Sequence, residues 1–370
     1  MRRLVYFSPI PWEGLFQRPQ HTVRALSGRF EVLWVEARML SVPGPPEPRE
    51  NLDFLRLPAL PFNARHGMIR RAARLAGGMA PLRAALARRQ AKMLRSRLDG
   101  DEPPLLFFAH PQFHALRRFF PDSPLAYDHM DDVLAFGDPP PSLRRGLEDI
   151  VSRAQLVSVT AARLEHAMRG MGARRVLRVG NGVEWDRFSV ADKLPIPAGL
   201  DAMPGPRVLY LGSVAEWFDF DLFFETARRL PKMSFPVVGP LRPDVEARAA
   251  EAPPNVRFFG ARPYHEVPAW MAHSDLGTVP FLRNELTSAV DPVKLYEYLA
   301  AGLPVVATPF SPEVIGAGDA VYLAEDGAAF AKSVEALLED PPSAAAVRKL
   351  AAGRRWEDLL APLVDALAGL

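Results

Sequence analysis

The chain of 370 residues contains no cysteine, which excludes disulfides and thiolate chemistry. No apolar run reaches the ~20 residues that a membrane-spanning helix needs. The first apolar run, Leu4 to Phe7, is too short for a signal peptide, and Pro9 and Pro11 follow it. Together with 48% hydrophobic and 24% charged residues, these absences predict a folded cytoplasmic protein.

Acidic residues are missing from one long segment. Between Phe54 and Leu98 there are eleven Arg or Lys and no Asp or Glu, although the formal net charge of the whole chain is only +2. The part from Met68 to Leu98 is predicted to form two helices that break near Gly77 and Gly78. A solvated helical face is the alternative, but each basic residue near an anionic leaflet contributes about 1 kcal/mol. We therefore predict that residues 54–98 attach the protein peripherally to an anionic membrane surface or lipid-linked acceptor. Nucleic acid is disfavoured, because no aromatic residues interleave with the cations to stack bases.

Strand-like apolar runs alternate with helical patterns, which is typical of parallel α/β domains. Two series of runs flank a proline-rich linker from Leu194 to Pro206. The predicted strands are Leu4 to Ser8, Val32 to Val35, Leu105 to Ala109, Leu125 to Tyr127, Leu156 to Thr160, Val176 to Val179, Val208 to Leu211, Phe235 to Val238, Val256 to Phe259, Leu276 to Val279, Val305 to Ala307 and Val321 to Leu323. The chain exceeds what one core usually organises, so two Rossmann-like halves are expected. Neither half has the Gly-x-Gly-x-x-Gly fingerprint, which disfavours a nicotinamide or flavin enzyme.

One predicted helix lies in the stretch from Thr287 to Pro309. Asp291 is a candidate N-cap, Pro292 suits the first turn, and Gly302 can end the helix. The following residues, 303–308, are predicted to form a short buried strand. This arrangement predicts a helix whose N-terminus is suited to bind a phosphate.

Lys294 and Glu297 stand three residues apart on one face of that helix. A cation beside the first-turn amides suits a diphosphate, and a carboxylate one turn further on suits the paired hydroxyls of a ribose. The pair therefore indicates a nucleotide site. An ordinary surface ion pair is the alternative.

Several motifs together resemble those of a known group of enzymes. They are Pro11-Trp12-Glu13-Gly14-Leu15-Phe16-Gln17-Arg18-Pro19-Gln20-His21, Tyr127-Asp128-His129-Met130-Asp131-Asp132, Asn181-Gly182-Val183-Glu184, Leu211-Gly212-Ser213, Gly260-Ala261-Arg262-Pro263-Tyr264 and the run from Pro292 to Val306. The chain resembles glycosyltransferases of the GT-B fold, close to the family 4 type that builds bacterial cell-surface polysaccharides. The resemblance implies two Rossmann-like domains that face a central cleft. Ala289 stands where similar enzymes often carry a second Glu, so the likeness does not extend to that carboxylate.

On the donor side, the resemblance implies that the nucleotide sugar binds to residues of the second half. Gly212 lets backbone approach a phosphate and Ser213 can donate a hydrogen bond, although a tight turn explains the glycine equally well. Similar enzymes hold the base with backbone groups near Arg262 and Tyr264. The predicted donor-binding residues are Gly212, Ser213, Arg262, Tyr264, Asp291, Val293, Lys294 and Glu297.

On the acceptor side, an acidic cluster follows a buried strand of the first half. Asp128, Asp131 and Asp132 would face the cleft, and crowding would raise the pKa of a carboxylate that takes the proton of an attacking hydroxyl. We predict Asp131 or Asp132 as the base, with inversion at the anomeric carbon, while a helix cap near Val133 to Phe136 is the alternative. His110 resembles the histidine that family 4 enzymes keep near the donor sugar.

The loop after the first strand is predicted to reach the cleft. Gly14 permits close approach to a ligand, and the fork of Arg18 suits an anion, although Arg18 could equally pair with Glu13 or Glu36. The predicted loop residues are Trp12, Gly14, Gln17 and Arg18.

Metal and cofactor use follows from the histidines. His110 and His114 are four apart, but Pro111 disfavours a helix between them, and no Glu follows His110 as in zinc hydrolases. We therefore expect a metal-independent enzyme with no cofactor apart from its nucleotide-sugar co-substrate, a UDP-sugar rather than a GDP-sugar by analogy.

The resulting hypothesis is a hexosyltransferase that moves a sugar from a UDP-sugar to a hydroxyl of a glycan or lipid-linked acceptor. Residues 1–190 would form the acceptor domain and residues 191–352 the donor domain. Residues 353–370 would form an amphipathic helix that returns to the first domain. A sugar-nucleotide epimerase or hydrolase, or a non-catalytic nucleotide-sugar-binding scaffold, is the alternative.

Overall fold

The structure is a computed structural model that describes residues 1–13, 16–37, 46–58, 80–98, 100, 102–136, 139–189 and 194–370. The chain divides into two compact units, Met1–Val179 with Leu360–Leu370, and Gly180–Leu359. Gly14 and the helix predicted before Gly77 lie outside the described residues. Within the ranges given, no helix has the length and apolar character needed to cross a bilayer.

The first unit contains a seven-stranded parallel sheet in the order β3-β2-β1-β4-β5-β6-β7. Its strands are β1 (Arg2–Phe7), β2 (Phe30–Ala37), β3 (Leu52–Leu57), β4 (Leu105–Phe108), β5 (Leu125–His129), β6 (Leu156–Val159) and β7 (Val176–Arg178). Its helices are α1 (Arg18–Ser27), α2 (Ala80–Arg95), α3 (Pro141–Arg153) and α4 (Ala162–Gly170), with a 3-10 helix at Pro111–Phe119. All four residues of β4 are buried, as expected for a central parallel strand whose two faces are covered.

The second unit contains a six-stranded parallel sheet in the order β10-β9-β8-β11-β12-β13. Its strands are β8 (Val208–Leu211), β9 (Phe235–Val238), β10 (Val256–Gly260), β11 (Leu276–Val279), β12 (Val305–Ala307) and β13 (Val321–Leu323). The helices are α5 (Trp185–Phe188), α6 (Phe220–Arg229), α7 (Glu246–Ala249), α8 (Val267–Ala272), α9 (Val293–Ala301), α10 (Pro312–Ile315), α11 (Gly327–Glu339) and α12 (Ala344–Ala351). Short 3-10 turns lie at Pro243–Val245, Tyr264–Glu266 and Thr287–Ala289. The last helix, α13 (Trp356–Ala368), begins in the second unit, and its residues from Leu360 onward belong to the first unit.

The predicted fold class is confirmed, and each predicted strand is present with its ends shifted by at most two residues. Strand β3 was missed because Asp53 and Arg56 interrupt its apolar pattern. Leu52, Phe54 and Leu57 are its buried residues. Half-buried edge strands of this kind carry a weak sequence signal, because charged residues are tolerated on their open face.

Strand order locates the functional edge of each unit. The order reverses between β1 and β4 in the first sheet and between β8 and β11 in the second. In open parallel sheets, ligands bind outside the carboxyl ends of the strands at such a reversal. The segments that follow β1, β4, β8 and β11 therefore border these positions.

Candidate functional site

Glycines end the first strands of the second sheet and bring their backbones close together. Gly212 follows β8 with φ 133°, and Gly239 follows β9 with φ 146°. A Cβ on Gly239 would lie 2.1 Å from the Gly212 carbonyl oxygen, so the site leaves no room for a side chain there. The Gly212 N–H donates to the Val238 carbonyl at 2.8 Å, which fixes the turn against β9.

The ammonium of Lys294 lies against this glycine turn. Lys294 Nζ donates to the Tyr210 hydroxyl at 3.1 Å and sits 4.6 Å from the ring centroids of Tyr210 and Phe281. A Cβ on Gly212 would stand 2.5 Å from Nζ, so a larger residue here would displace the ammonium from its present position. Burial lowers the pKa of Lys294 to about 7, against the opposing charge of Glu297. The site therefore holds a cation that an anionic ligand would stabilise.

Glu297 lies one turn further along α9 and is buried. Its side chain is 5% exposed, and its Oε1 accepts a hydrogen bond from the Tyr264 hydroxyl at 3.0 Å. Burial raises the pKa of Glu297 to about 7, while the hydrogen bond from Tyr264 and the charge of Lys294 oppose that rise. A buried carboxylate held by a tyrosine excludes the alternative of a surface ion pair.

The N-terminus of α9 carries no side-chain cap. Pro292 is the N-cap, and Gly302 ends the helix in the left-handed conformation, as predicted. The prediction that Asp291 caps the helix is wrong. Asp291 is buried, its carboxylate accepts from the Asn181 N–H at 2.6 Å and from the Tyr296 hydroxyl at 2.5 Å, and so it is occupied inside the protein. The Leu295 N–H donates to the Pro292 carbonyl at 3.0 Å, whereas the amides of Val293 and Lys294 bond to no acceptor in the described residues and can donate to a ligand.

The other predicted donor residues lie around this centre. The Ser213 carbonyl accepts hydrogen bonds from Tyr210 and from Trp217 Nε1 at 2.8 and 3.2 Å. Its side-chain hydroxyl bonds to none of the residues in the described ranges. Arg262 is exposed, with its guanidinium 5.8 Å from the ring centroid of Trp270, so its side chain is not part of the cluster around Glu297.

In the first unit, Arg18 and Asp128 form a buried ion pair. Arg18 Nε and Nη2 donate to the two Asp128 carboxylate oxygens at 3.0 and 3.1 Å, and the Ser158 hydroxyl adds a third bond at 2.7 Å. Their side chains are 3% and 0% exposed. The predictions that Arg18 binds a ligand anion and that Asp128 faces the acceptor are wrong, because each neutralises the other within the core. Arg56 is the residue that pairs with Glu13 and Glu36.

Asp131 and Asp132 follow β5 and differ in their surroundings. Asp132 Oδ1 accepts from the Leu134 N–H at 3.1 Å, so it caps the next turn. Within the described part of the chain, the Asp131 carboxylate accepts no hydrogen bond. Burial raises the pKa of Asp131 to about 7, with Arg18 opposing the rise and the neighbouring carboxylates adding to it. Of the two candidates, Asp131 has the properties of a base.

Two neutral histidines lie at the same edge. His110 follows β4, and its Nδ1 accepts from the Gln112 N–H at 3.2 Å at the start of the 3-10 helix. Burial and then the nearby His129 lower the pKa of His110 to about 4. His129 Nδ1 lies 3.0 Å from the Tyr127 hydroxyl, and burial lowers its pKa to about 4 as well. Both side chains are therefore uncharged at neutral pH.

The opening loop contributes less than predicted. Trp12 is 7% exposed, packs against Trp34 and Phe54, and donates its N–H to Glu36, so its predicted role at a ligand is wrong. Gln17 is exposed at the N-terminus of α1, where its N–H donates to Gln20 Oε1 at 3.0 Å. Gly14 lies outside the described residues.

The predicted basic surface is partly neutralised. Arg56 pairs with two carboxylates, as described above, and Arg97 pairs with Asp53 at 2.7 Å, so the segment's cations are not all uncompensated. On α2, Arg88, Arg89 and Lys92 are exposed. For the described ranges, no three His, Asp or Glu side chains are arranged to hold a metal ion.

Three contributors to the site were missed from the sequence. Tyr210 and Phe281 form the walls around Lys294, and Gly239 makes room for Gly212. Tyr210 lies inside a predicted strand, where nothing distinguishes a site residue from a core residue. Gly239 follows a predicted strand directly, and that position was the available signal.

Comparison with known proteins gives matches for part of the sequence and for the whole fold. Residues 205–340 match the family model of Glycosyl transferases group 1. A putative teichuronic acid biosynthesis glycosyltransferase, TuaH of Bacillus subtilis (strain 168), is 35% identical over 139 residues. This alignment covers 37% of the chain and 35% of TuaH, so the chain spans about a third of the length of the curated relative it matches.

Solved structures match the fold over the full chain, and two of them serve as examples. Sucrose-phosphate synthase from Thermosynechococcus elongatus has a TM-score of 0.73 at 15% identity, covering 100% of this chain and 99% of its own. Anabaena HepE in complex with UDP and glucose has a TM-score of 0.72 at 15% identity, covering 100% of both chains. The chain therefore has the GT-B fold. The part that matches the model of Glycosyl transferases group 1, residues 205–340, contains Gly212, Lys294 and Glu297.

Proposed function

We propose that this protein is a glycosyltransferase that transfers a sugar from a UDP-sugar to a hydroxyl of a glycan or lipid-linked acceptor. The observation that carries the proposal is the ammonium of Lys294 set against Gly212 beside an uncapped helix N-terminus. A diphosphate supplies the negative charge that this cation lacks in its buried surroundings.

Loss of the nucleoside diphosphate is the step that this arrangement favours. Negative charge builds on the diphosphate as its bond to the anomeric carbon breaks. Lys294 and the first-turn amides of α9 stabilise that charge more strongly than they stabilise the intact donor. Because burial lowers its pKa to about 7, Lys294 is only partly protonated at neutral pH, and an anion bound beside it favours the charged form.

The nucleoside is assigned to uridine and its ribose to Glu297. A carboxylate that keeps one oxygen open can accept hydrogen bonds from the paired ribose hydroxyls. The HepE structure, which is described with UDP and glucose, supports uridine by analogy of fold. The match to TuaH supports a role in cell-surface polysaccharide synthesis.

The acceptor hydroxyl is deprotonated by Asp131. Its oxygen attacks the anomeric carbon while the bond to the diphosphate breaks, and the proton passes to the Asp131 carboxylate. A pKa of about 7 suits this transfer at neutral pH, and direct attack inverts the anomeric configuration. No covalent intermediate is required.

The exposed cations of α2 are proposed to hold the protein at an anionic membrane surface. Arg88→Glu with Arg89→Glu is expected to abolish cosedimentation with vesicles that contain phosphatidylglycerol. Arg174→Glu with Arg175→Glu is the matched control, because these two arginines are also adjacent and exposed in the first unit. Equal loss in both pairs would show that net charge alone, and not the α2 surface, governs binding.

Thermal-shift measurements against UDP, GDP, ADP and CDP test the donor assignment. If UDP binds selectively, a free UDP concentration of about a hundred times the dissociation constant stabilises the folded protein by about 2.7 kcal/mol. Glu297→Ala is expected to remove that shift, whereas a scaffold that binds polysaccharide would keep its partner. Sugar released from the donor without an acceptor would instead identify a hydrolase.

A further inference from the structure

Tyr264 connects two parts of the donor site. It begins the 3-10 turn Tyr264–Glu266 that follows β10, and its hydroxyl donates to Glu297 Oε1 on α9 at 3.0 Å. The loop after β10 and the carboxylate of Glu297 are thus held together by one hydrogen bond between side chains.

The ring of Tyr264 is itself fixed from the other side. The Arg187 guanidinium lies 4.9 Å from its centroid, and Arg187 Nε is held by Glu184 at 2.6 Å. The fully buried ring of Phe188 packs edge-on against it, with centroids 6.0 Å apart. Because Arg187 and Phe188 on α5 hold the ring in place, the Tyr264 hydroxyl is also fixed. It can therefore orient the carboxylate that it contacts.

This contact decides what the carboxylate can offer a ligand. The hydrogen bond from Tyr264 restrains Oε1 of Glu297, whereas Oε2 receives no hydrogen bond from the residues that the structure describes and can accept one from a ligand. A carboxylate accepts hydrogen bonds from two neighbouring hydroxyls only in one orientation. A carboxylate that rotates freely must lose that freedom on binding, which weakens the paired hydrogen bonds. The same hydrogen bond opposes the rise in the pKa of Glu297 that burial causes, which favours the ionised acceptor form.

We propose that Tyr264 is a positioning residue that makes the donor site select a ribonucleotide over a 2′-deoxyribonucleotide by orienting Glu297. The inference rests on the proposed function, since it requires that Glu297 bind the ribose. It assigns to Tyr264 no contact with the reacting atoms.

Calorimetric titration with UDP and with 2′-deoxy-UDP tests the inference. The unmodified protein should prefer UDP by about tenfold or more, because a site built to bond a hydroxyl rejects the analogue that lacks it. Tyr264→Phe keeps the ring and should lower UDP affinity about tenfold with a smaller effect on 2′-deoxy-UDP. The loss of UDP affinity on the acid side should also begin at a higher pH in the variant.

Tyr322→Phe is the matched control, because Tyr322 is an exposed tyrosine of the same unit, on β13, and it should behave as the unmodified protein. A double-mutant cycle with Glu297→Gln adds an independent test. Tyr264→Phe should have little further effect on UDP affinity once the carboxylate is gone.

The possible results distinguish a failure of the donor assignment from a failure of the role proposed for Tyr264. If the unmodified protein binds neither nucleotide, the donor assignment fails. If it prefers UDP and Tyr264→Phe lowers both affinities equally, without shifting the acid limb, Tyr264 has only a structural role and the inference is overturned. Additivity in the cycle with Glu297→Gln would overturn it as well.

Discussion

Replacing Lys294 by methionine is expected to stabilise the ligand-free protein while abolishing UDP binding. The ammonium lies against the rings of Tyr210 and Phe281, and among the described residues no carboxylate forms an ion pair with it. Burial outweighs the attraction of Glu297, so the charge destabilises the ligand-free protein. Methionine has a similar length and fills the same space without charge. Active sites commonly sacrifice stability in this way.

The magnitude follows from the pKa of Lys294. A decrease from 10.5 to about 7 corresponds to at most about 5 kcal/mol, and because the side chain is half-buried we expect solvent to reduce this to about 2 kcal/mol. Such a change raises the melting temperature by about 5 °C for a unit of this size. Below pH 7 the lysine is charged in both the folded and the unfolded protein, so the full penalty applies. It declines as the pH approaches 10.5, where both forms are neutral.

The assay is differential scanning calorimetry between pH 6 and pH 10, with and without UDP. Lys294→Met should melt above the unmodified protein at pH 6, should converge with it toward pH 10, and should show no shift with UDP. Lys332→Met is the control, because Lys332 is an exposed lysine on α11 of the same unit. The reasoning is refuted if Lys294→Met melts at or below the unmodified protein throughout, or if UDP still stabilises it.

Three further substitutions test other parts of the site. Asp131→Asn should abolish turnover and leave UDP affinity unchanged, and the turnover of the unmodified protein should fall as the pH drops through about 7, where Asp131 gains a proton. Asp132→Asn should retain most turnover and destabilise the fold by about 1 kcal/mol or less, since it alters a turn cap; equal losses in both variants would contradict the assignment of the base. Gly212→Ala should cost about 1–3 kcal/mol and remove UDP binding, whereas Gly172→Ala, also at positive φ but with open space around it, should keep UDP binding. UDP binding that survives in Gly212→Ala would show that the phosphates lie elsewhere.

The fold could be predicted because its strands are continuous apolar runs. Residues such as those of β4 and β8 face covered sheet surfaces on both sides, and only hydrophobic side chains suit that position. Strand β3 was not predicted, because an edge strand tolerates charged residues on its open side and these interrupt the apolar pattern. The two ends of helix α9 likewise differ in how far they could be predicted. Gly302 was predictable from local backbone geometry, whereas the role of Asp291 depends on Asn181, which lies 110 residues away in the chain.

The central residues of the site could be predicted from the sequence, but the contacts between their side chains could not. Lys294 and Glu297 follow from their spacing on one helix, which is a local property. The pairing of Arg18 with Asp128 joins residues 110 apart, and the contact of Tyr264 with Glu297 joins residues 33 apart. The spacing of residues along the chain does not predict such long-range contacts. The residue types also do not distinguish an Arg and an Asp that pair in the core from an Arg and an Asp that bind a ligand. The burial of Trp12 likewise depends on rings from β2 and β3, and β3 was not anticipated.

The central claim is that the N-terminus of α9, with Lys294 and Gly212, binds the diphosphate of an activated sugar. A crystal structure of the protein soaked with UDP-glucose tests it most directly. The account predicts the diphosphate within hydrogen-bond distance of Lys294 Nζ and of the first amides of α9, with the ribose at Glu297. Electron density for the nucleotide at another place, with these groups unchanged, would contradict it.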